Sequence, residues 1–268
     1  MISGFNINIR IGDLEVIRCP ELWIESERHR PLTRMGIVLP DADRGLFKSI
    51  MTDESVQIQL GYRGKTPGSW AGTVSHLEPG STKDQVCVSV VGPEKPLVTT
   101  KIIQSWENES PEAIIKWAIT QAGMQIGRID SPGCVFPRFV SSNITVWDLV
   151  RACENTCQKG FDIDMSRWAL WVDNDGMVNW GDFDATANET PVIETGAGLI
   201  LHTPSGSTLA RNSVDTFLWP GLRHSMPFIL NDMIRGIKGT FRVLKARHSM
   251  RNDKIRTVIS YGEEYEKF

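Results

Sequence analysis

The sequence predicts a mainly β fold in which a small helix-containing α+β section, residues 97–184, is flanked by two β-barrel regions, 1–96 and 185–268. Three observations lead there. Over the first 92 residues, short runs alternate apolar with polar residues and break at Gly, Pro, Asn and Asp, the spacing of a barrel or sandwich. The same signals return after residue 190. Between them lie two amphipathic segments at helical spacing, each behind a capping residue.

Taken in order, Phe5, Ile7 and Ile9 alternate with Asn6, Asn8 and Arg10, and Gly12-Asp13 turns the chain toward Leu14, Val16 and Ile17. A long strand is expected over Glu21–Arg30, with Leu22 and Ile24 on the face opposite Trp23 and Glu25, ending at Pro31. Thr33–Leu39 is the next strand, and Leu46–Met51 reads as a short helix. Val56, Ile58 and Leu60 then open a three-strand antiparallel meander that runs to Val91. Its first loop, Tyr62–Ser69, has the Gly and Pro content of a turn, and Pro79-Gly80-Ser81 makes the second. Gly61, Gly64 and Gly72 read as turns or close backbone approaches, not as a phosphate cradle.

Gly92–Pro96 breaks the pattern, and Leu97–Trp106 is ambiguous. Ser110 caps a helix with Pro111 at its first position and an apolar stripe of Ile114, Ile115, Ala118, Ile119 and Ala122, closed by Gly123. Met124–Ile129 reads as a strand, and Pro132 to Pro137 as an irregular crossing. Thr145 and Asp148 have capping-box spacing, and Val146, Leu149, Val150, Cys153 and Cys157 form the stripe of a second helix that Gly160 ends. Strands follow at 161–165, 168–172 and 177–180, the last two joined by Asp173-Asn174-Asp175-Gly176. Asp182–Thr190 is polar and loop-like, and strands return at 199–202, 210–219, 226–230, 239–248 and 254–261.

Composition narrows the function. A net charge of −3 lacks the basic excess of a free-standing nucleic-acid binder. The N-terminus alternates and is charged, unlike a signal peptide, and no apolar run approaches the ~20 residues of a bilayer span, so synthesis in the cytosol and no membrane insertion are expected. The five cysteines form no CxxC unit and read as reduced, buried thiols. The Asn108, Asn143 and Asn188 glycosylation patterns then carry no weight.

No chemistry is legible. His29, His76, His202, His224 and His248 show no ligand spacing and read as strand residues. Cys153 and Cys157 continue a core stripe, and Asp162, Asp164, Asp173, Asp175 and Asp182 lack the calcium-loop pattern. Walker A, GxGxxG and GxSxG motifs are missing, so no catalytic residue, metal or cofactor is assigned. Arg242, Lys245, Arg247, Arg251, Lys254 and Arg256 form a dense basic run, read as solvent-facing strand residues, as an intersubunit salt-bridge surface, or as the wall of a channel that passes DNA.

Three stretches together resemble the late-control D family of phage baseplate hubs, which is related to the base of type VI secretion spikes. They are VQIQLGYRGKTPGSWAGTVSHLE, then SPEAIIKWAITQAGM with TVWDLVRACEN, and finally FLWPGLRHSMPFIL with GTFRVLKARHSMRNDKIRTVISYGE. The resemblance spans nearly the whole chain and implies two related β barrels around an α+β section. It implies a structural, non-enzymatic virion component assembled in the host cytoplasm. Three copies would form a pseudo-sixfold ring that joins a sixfold tail tube to a spike or tip protein, contacts other baseplate proteins, and meets DNA only by letting it pass. The chain departs from the family in being short, ending at Phe268 with no appended spike, lysozyme or peptidase segment, so a bare hub is expected. In that setting Arg63, Lys65, Ser69 and Trp70 become candidate subunit contacts. Two other readings compete: a tail-borne cell-wall hydrolase, motivated by the acidic cluster at 162–182, and a carbohydrate-binding β module, motivated by nine Trp.

Overall fold

The computed structural model describes residues 4–63, 67–173, 175–182, 190–205, 212–251 and 254–262. It is mainly β. Contacts group residues 1–92 with 188–268 as one unit and 93–187 as another.

The first unit is built on one sheet. Its N-terminal strands are β1 (Phe5–Ile11), β2 (Leu14–Val16), β3 (Glu21–Glu27), β4 (Arg34–Pro40), β5 (Ser55–Tyr62), β6 (Gly68–Pro79) and β7 (Gln85–Val91), with the short helix α1 (Gly45–Ser49) before β5. They pair in the order β3-β4-β7-β6-β5-β1-β2, and β5, β6 and β7 are the expected antiparallel meander. Period-2 alternation sends Ile9, Leu22, Met35, Ile58, Val74 and Val88 from six of these strands into one core, so the sheet rolls around it. The strand from Glu21 stops at Glu27, three residues short of expectation, where the Arg28 N–H turns to the Leu244 carbonyl.

The C-terminal strands are β13 (Val192–Thr195), β14 (Gly198–Thr203), β15 (Asn212–Thr216), β16 (Pro227–Asp232), β17 (Ile237–Arg251) and β18 (Lys254–Tyr261). Their order is β16-β13-β14-β15-β18-β17, and pairing of β16 with β17 closes a six-stranded barrel. Its core holds Ile193, Val214, Phe228, Leu230, Val243 and Ile259.

The two strand sets repeat each other. The run β3-β4-β7-β6-β5 matches β14-β15-β18-β17-β16 in order, and every neighbouring pair in both is antiparallel. They are joined through β17. Residues 237–242 of β17 pair with β16, and 245–251, on the same edge, pair with β3. The strand therefore gives Val243 and Ala246 to one core and Met250 to the other.

The close approaches expected at glycine are present. A Cβ on Gly72 would lie 2.4 Å from the Val91 carbonyl oxygen, and one on Gly61 would lie 2.8 Å from the Pro67 Cα. Gly64 lies outside the described residues. Because backbone cannot yield as a flexible side chain can, Gly72→Ala is expected to destabilise the protein by about 1–3 kcal/mol in urea denaturation.

The second unit holds α2 (Lys95–Thr99), β8 (Lys101–Glu109), α3 (Pro111–Gln121), β9 (Gln125–Ile129), β10 (Phe136–Thr145), α4 (Val146–Phe161), β11 (Trp168–Val172) and β12 (Met177–Asp182). The helices start where the sequence predicts. Ser110 Oγ accepts from Ala113 N at 3.4 Å, and Thr145 Oγ1 accepts from Asp148 N at 3.1 Å. Helix α4 runs one residue past Gly160, and Asp162, not glycine, takes the left-handed position at φ 55°. Of the stretch read as irregular, residues 132–135 are outside any strand, and Phe136 and Pro137 open β10, which pairs antiparallel with β8. Ladder partners flank Pro137, at Phe136 and Arg138, so its missing N–H leaves the pairing intact.

Candidate assembly surface

The predicted basic run lies along β17 and β18, and most of it faces partners within the chain. Antiparallel register sets Arg247 opposite Glu25 and Arg251 opposite Glu21. Lys245 Nζ lies 2.9 Å from Glu25 Oε1, Arg247 Nη1 lies 3.4 Å from Glu25 Oε2, and Arg251 Nε lies 3.4 Å from Glu21 Oε2. The Arg247 guanidinium also sits 4.9 Å from the centre of the Trp23 ring. Arg242 donates to the Ser225 carbonyl at 2.8 Å, and Arg256 lies over Phe217. Lys254 is exposed at the start of β18. Partly exposed pairs of this kind each contribute about 0–1 kcal/mol. Their main effect is to fix the register of β3 on β17 and to neutralise much of the basic strip.

Of the other predicted cluster, Arg63 is exposed at the end of β5, Ser69 is exposed near the start of β6, and Lys65 lies outside the described residues. Trp70 is half-buried against the first core, with its ring 5.2 Å from that of His248.

Two histidines that the sequence marks only as strand residues are buried at polar junctions. His202 Nδ1 lies 2.6 Å from Asp232 Oδ2, and its Nε2 lies 2.8 Å from the Tyr261 hydroxyl. The His202 hydrogen bond, aided by Arg235, holds the Asp232 carboxyl below its usual range, while burial raises the Tyr261 phenol. The order Asp–His–hydroxyl superficially resembles a nucleophilic triad. His202, Asp232 and Tyr261 are 1%, 1% and 3% exposed, however, so no substrate atom reaches the hydroxyl. Asp232 instead uses Oδ1 to accept from Ile234 N and Arg235 N, which fixes the β16–β17 turn.

Members of the acidic cluster also have structural tasks. Asp173 Oδ1 accepts from Asp175 N and Met177 N, Asp164 Oδ1 accepts from Ser166 N, and Asp182 pairs with Arg167 at 3.1 Å. Cys153 and Cys157 are fully buried in the second unit's core, where burial raises both thiols. Among the described residues, no group of three or more His, Cys, Asp or Glu is placed to hold a metal ion, and no helix is long and apolar enough to cross a membrane.

What the described residues offer is therefore a doubled β scaffold in which His202, Asp232, Tyr261, Asp173, Asp182, Cys153 and Cys157 are engaged internally. Its fold is that of tail proteins. The tail protein from Neisseria meningitidis MC58 superposes with a TM-score of 0.72 at 12% identity, over 98% of this chain and 97% of that one. The 43 kDa tail protein of prophage MuSo2 from Shewanella oneidensis gives 0.71 at 11% identity, covering 96% of each chain. The E. coli c3393 protein, a component of the type VI secretion system described as structurally similar to T4 tail proteins gp27 and gp5, gives 0.64 at 9%, over 97% of this chain and 78% of that one. No protein-family model matches, and no curated protein matches the sequence.

Proposed function

We propose that the chain is the structural hub of a phage or phage-like tail baseplate. It acts as a homotrimeric ring of pseudo-sixfold symmetry between the tail tube and the central spike or tip. The observation that carries this reading is the doubling of one strand arrangement within a single chain, β3-β4-β7-β6-β5 and β14-β15-β18-β17-β16. A chain that carries the same five-strand order twice offers six related positions from three copies, which suits a sixfold tube on one side and a threefold spike on the other. The fold shared with tail proteins of two bacteria supports it. The partners are further copies, the tube protein, the spike or tip protein and other baseplate proteins, and DNA passes through the ring. The hub works by interface burial, without catalysis, and the ion-paired strip on β17 braces the scaffold.

An obligate ring of this kind buries more than ~2,000 Å² per interface. Light scattering of the purified chain is expected to give three times the 30.0 kDa chain mass, with rings in negative stain. A monomer at every concentration would overturn the ring, and peptidoglycan clearing that depends on one carboxylate would overturn the non-enzymatic role.

A further inference from the structure

Three of the five cysteines share the core of the second unit. Cys153 and Cys157 are fully buried on α4, and Cys134 packs against the same core from the segment 130–135 that joins β9 to β10. Cys134 Sγ and Cys157 Sγ lie 3.6 Å apart, although 23 positions separate them in the chain. Among the described residues Cys153, one turn earlier on α4, makes no such contact.

The thiol contact is also what ties the segment to the rest of the fold. Asp130 is well held, because its N–H donates to the Trp180 carbonyl at 2.9 Å and its Oδ2 accepts from Asp182 N at 3.2 Å. From Ser131 to Val135 the hydrogen bonds among the described residues are the local one from Gly133 N to Ser131 Oγ, at 3.2 Å, and the thiol contact itself. Ser131, Gly133 and Val135 are exposed and Cys134 is half-buried. The segment also has room to shift: a Cβ on Gly133 would meet nothing within 4 Å.

A disulfide needs its sulfurs at about 2.05 Å, so this pair lacks about 1.5 Å, which a loosely held segment supplies more easily than a helix. Cys134 is the thiol that a dissolved oxidant reaches. Burial first, and then Cys134 and the Glu154 and Glu112 carboxylates, disfavour a Cys157 thiolate. A disulfide carries no charge, so surroundings that resist the thiolate accept the bond.

We propose that Cys134 and Cys157 form a redox site at which a small-molecule disulfide installs a bond that pins the 130–135 segment to α4. Cys134, as thiolate, attacks the small disulfide, becomes a mixed disulfide and releases one small thiol. Cys157 then attacks the Cys134 sulfur, and the second small thiol leaves with the Cys157 proton. Two electrons pass from the protein pair to the small disulfide, and the two cysteine protons end on the two small thiols. The closed loop holds β10 and most of α4. Joining its ends restricts the opened state of the unit, so the bond suppresses opening there. A particle protein assembled in a reducing cytoplasm, as proposed above, meets such disulfides after release, and the bond itself is independent of that setting.

The test incubates the full folded chain with oxidised glutathione, alkylates the remaining thiols and reads tryptic peptides by mass. A linked pair holding residues 134 and 157, two hydrogens lighter than its reduced parts, is expected. Residues 153 and 157 leave trypsin in one peptide, so fragmentation of the wild-type pair assigns the sulfur, and Cys153→Ala is expected to form the same link. Hydrogen exchange of the β10 and α4 amides is expected to slow at least about thirtyfold on oxidation and to recover on reduction. In Cys134→Ser the same treatment is expected to leave exchange unmoved. A folded chain that forms no link, links only in urea, joins Cys153 to Cys157, or stops at a glutathione adduct on Cys134 overturns the site. A 134–157 link that leaves exchange unchanged overturns the pinning. Neither result bears on the ring, and a monomeric chain leaves this test as it stands.

Discussion

Acidification from pH 7 to below pH 4 is expected to remove about 3 kcal/mol of stability through His248 alone. This side chain sits where β17 serves both cores and is 2% exposed. Its Nε2 lies 2.8 Å from the Leu222 carbonyl, which can only accept, so Nε2 carries the proton. Thr257 Oγ1 accepts from Trp219 N at 2.9 Å and lies 2.9 Å from His248 Nδ1, so its hydroxyl donates to that nitrogen. The network is complete with a neutral ring, and a second ring proton would face a donor. Burial, with the nearby Arg223 charge, outweighs the help of the Leu222 carbonyl and pushes the imidazole from 6.5 to about 4. The unfolded chain takes up its proton near pH 6.5 and the folded chain only near pH 4. The contribution is therefore full above pH 6.5, declines as pH falls between the two values, and is gone below the lower one. Urea midpoints measured across this window should slope for the wild type and slope less for His248→Gln, with a remainder from His224, where burial pushes the imidazole down to about 3. Equal slopes in both, or an imidazole NMR titration at its ordinary position in the folded protein, would overturn the assignment.

That junction also marks how far the sequence could be read. The meander β5–β7, the caps at Ser110 and Thr145 and the β17–β18 hairpin are legible because local spacing and turn chemistry decide them. The ribbon β8–β10 is not. Residue 143 interrupts its alternation at φ 57°, one face is left polar, and Pro137 has the look of a breaker. His248 shows nothing locally because its partners come from residues 222 and 257. The β17–β3 seam is equally non-local. It joins positions some 220 residues apart, and its trace in the sequence is a strand too long for its neighbour β16, with Lys245, Arg247 and Arg251 at positions that meet Glu21 and Glu25. The basic run is thus visible, but its acidic partners are not identifiable without the register.

Trp180→Ala is expected to be the costliest single truncation in the second unit, about 3–5 kcal/mol. Trp180 is fully buried on β12, the middle strand of the order β11-β12-β9, and its ring lies 4.6 Å from that of Trp168. Two effects add. Truncation opens a cavity between the sheet and α4, and it removes the indole N–H that donates to Glu154 Oε1 at 2.9 Å. Glu154 belongs to the buried face of α4, and its other oxygen accepts from Arg151 at 2.8 Å, so a buried carboxylate loses a donor. Trp180→Phe separates the effects: it retains much of the volume and loses the hydrogen bond, and about 1–3 kcal/mol is expected. Urea denaturation gives the magnitudes. Hydrogen exchange gives the location, with faster exchange expected in β11, β12 and α4. If Phe and Ala cost the same, the hydrogen bond to Glu154 dominates and the packing argument fails. If Phe costs nothing, Glu154 has another donor and the polar link between β12 and α4 contributes no stability.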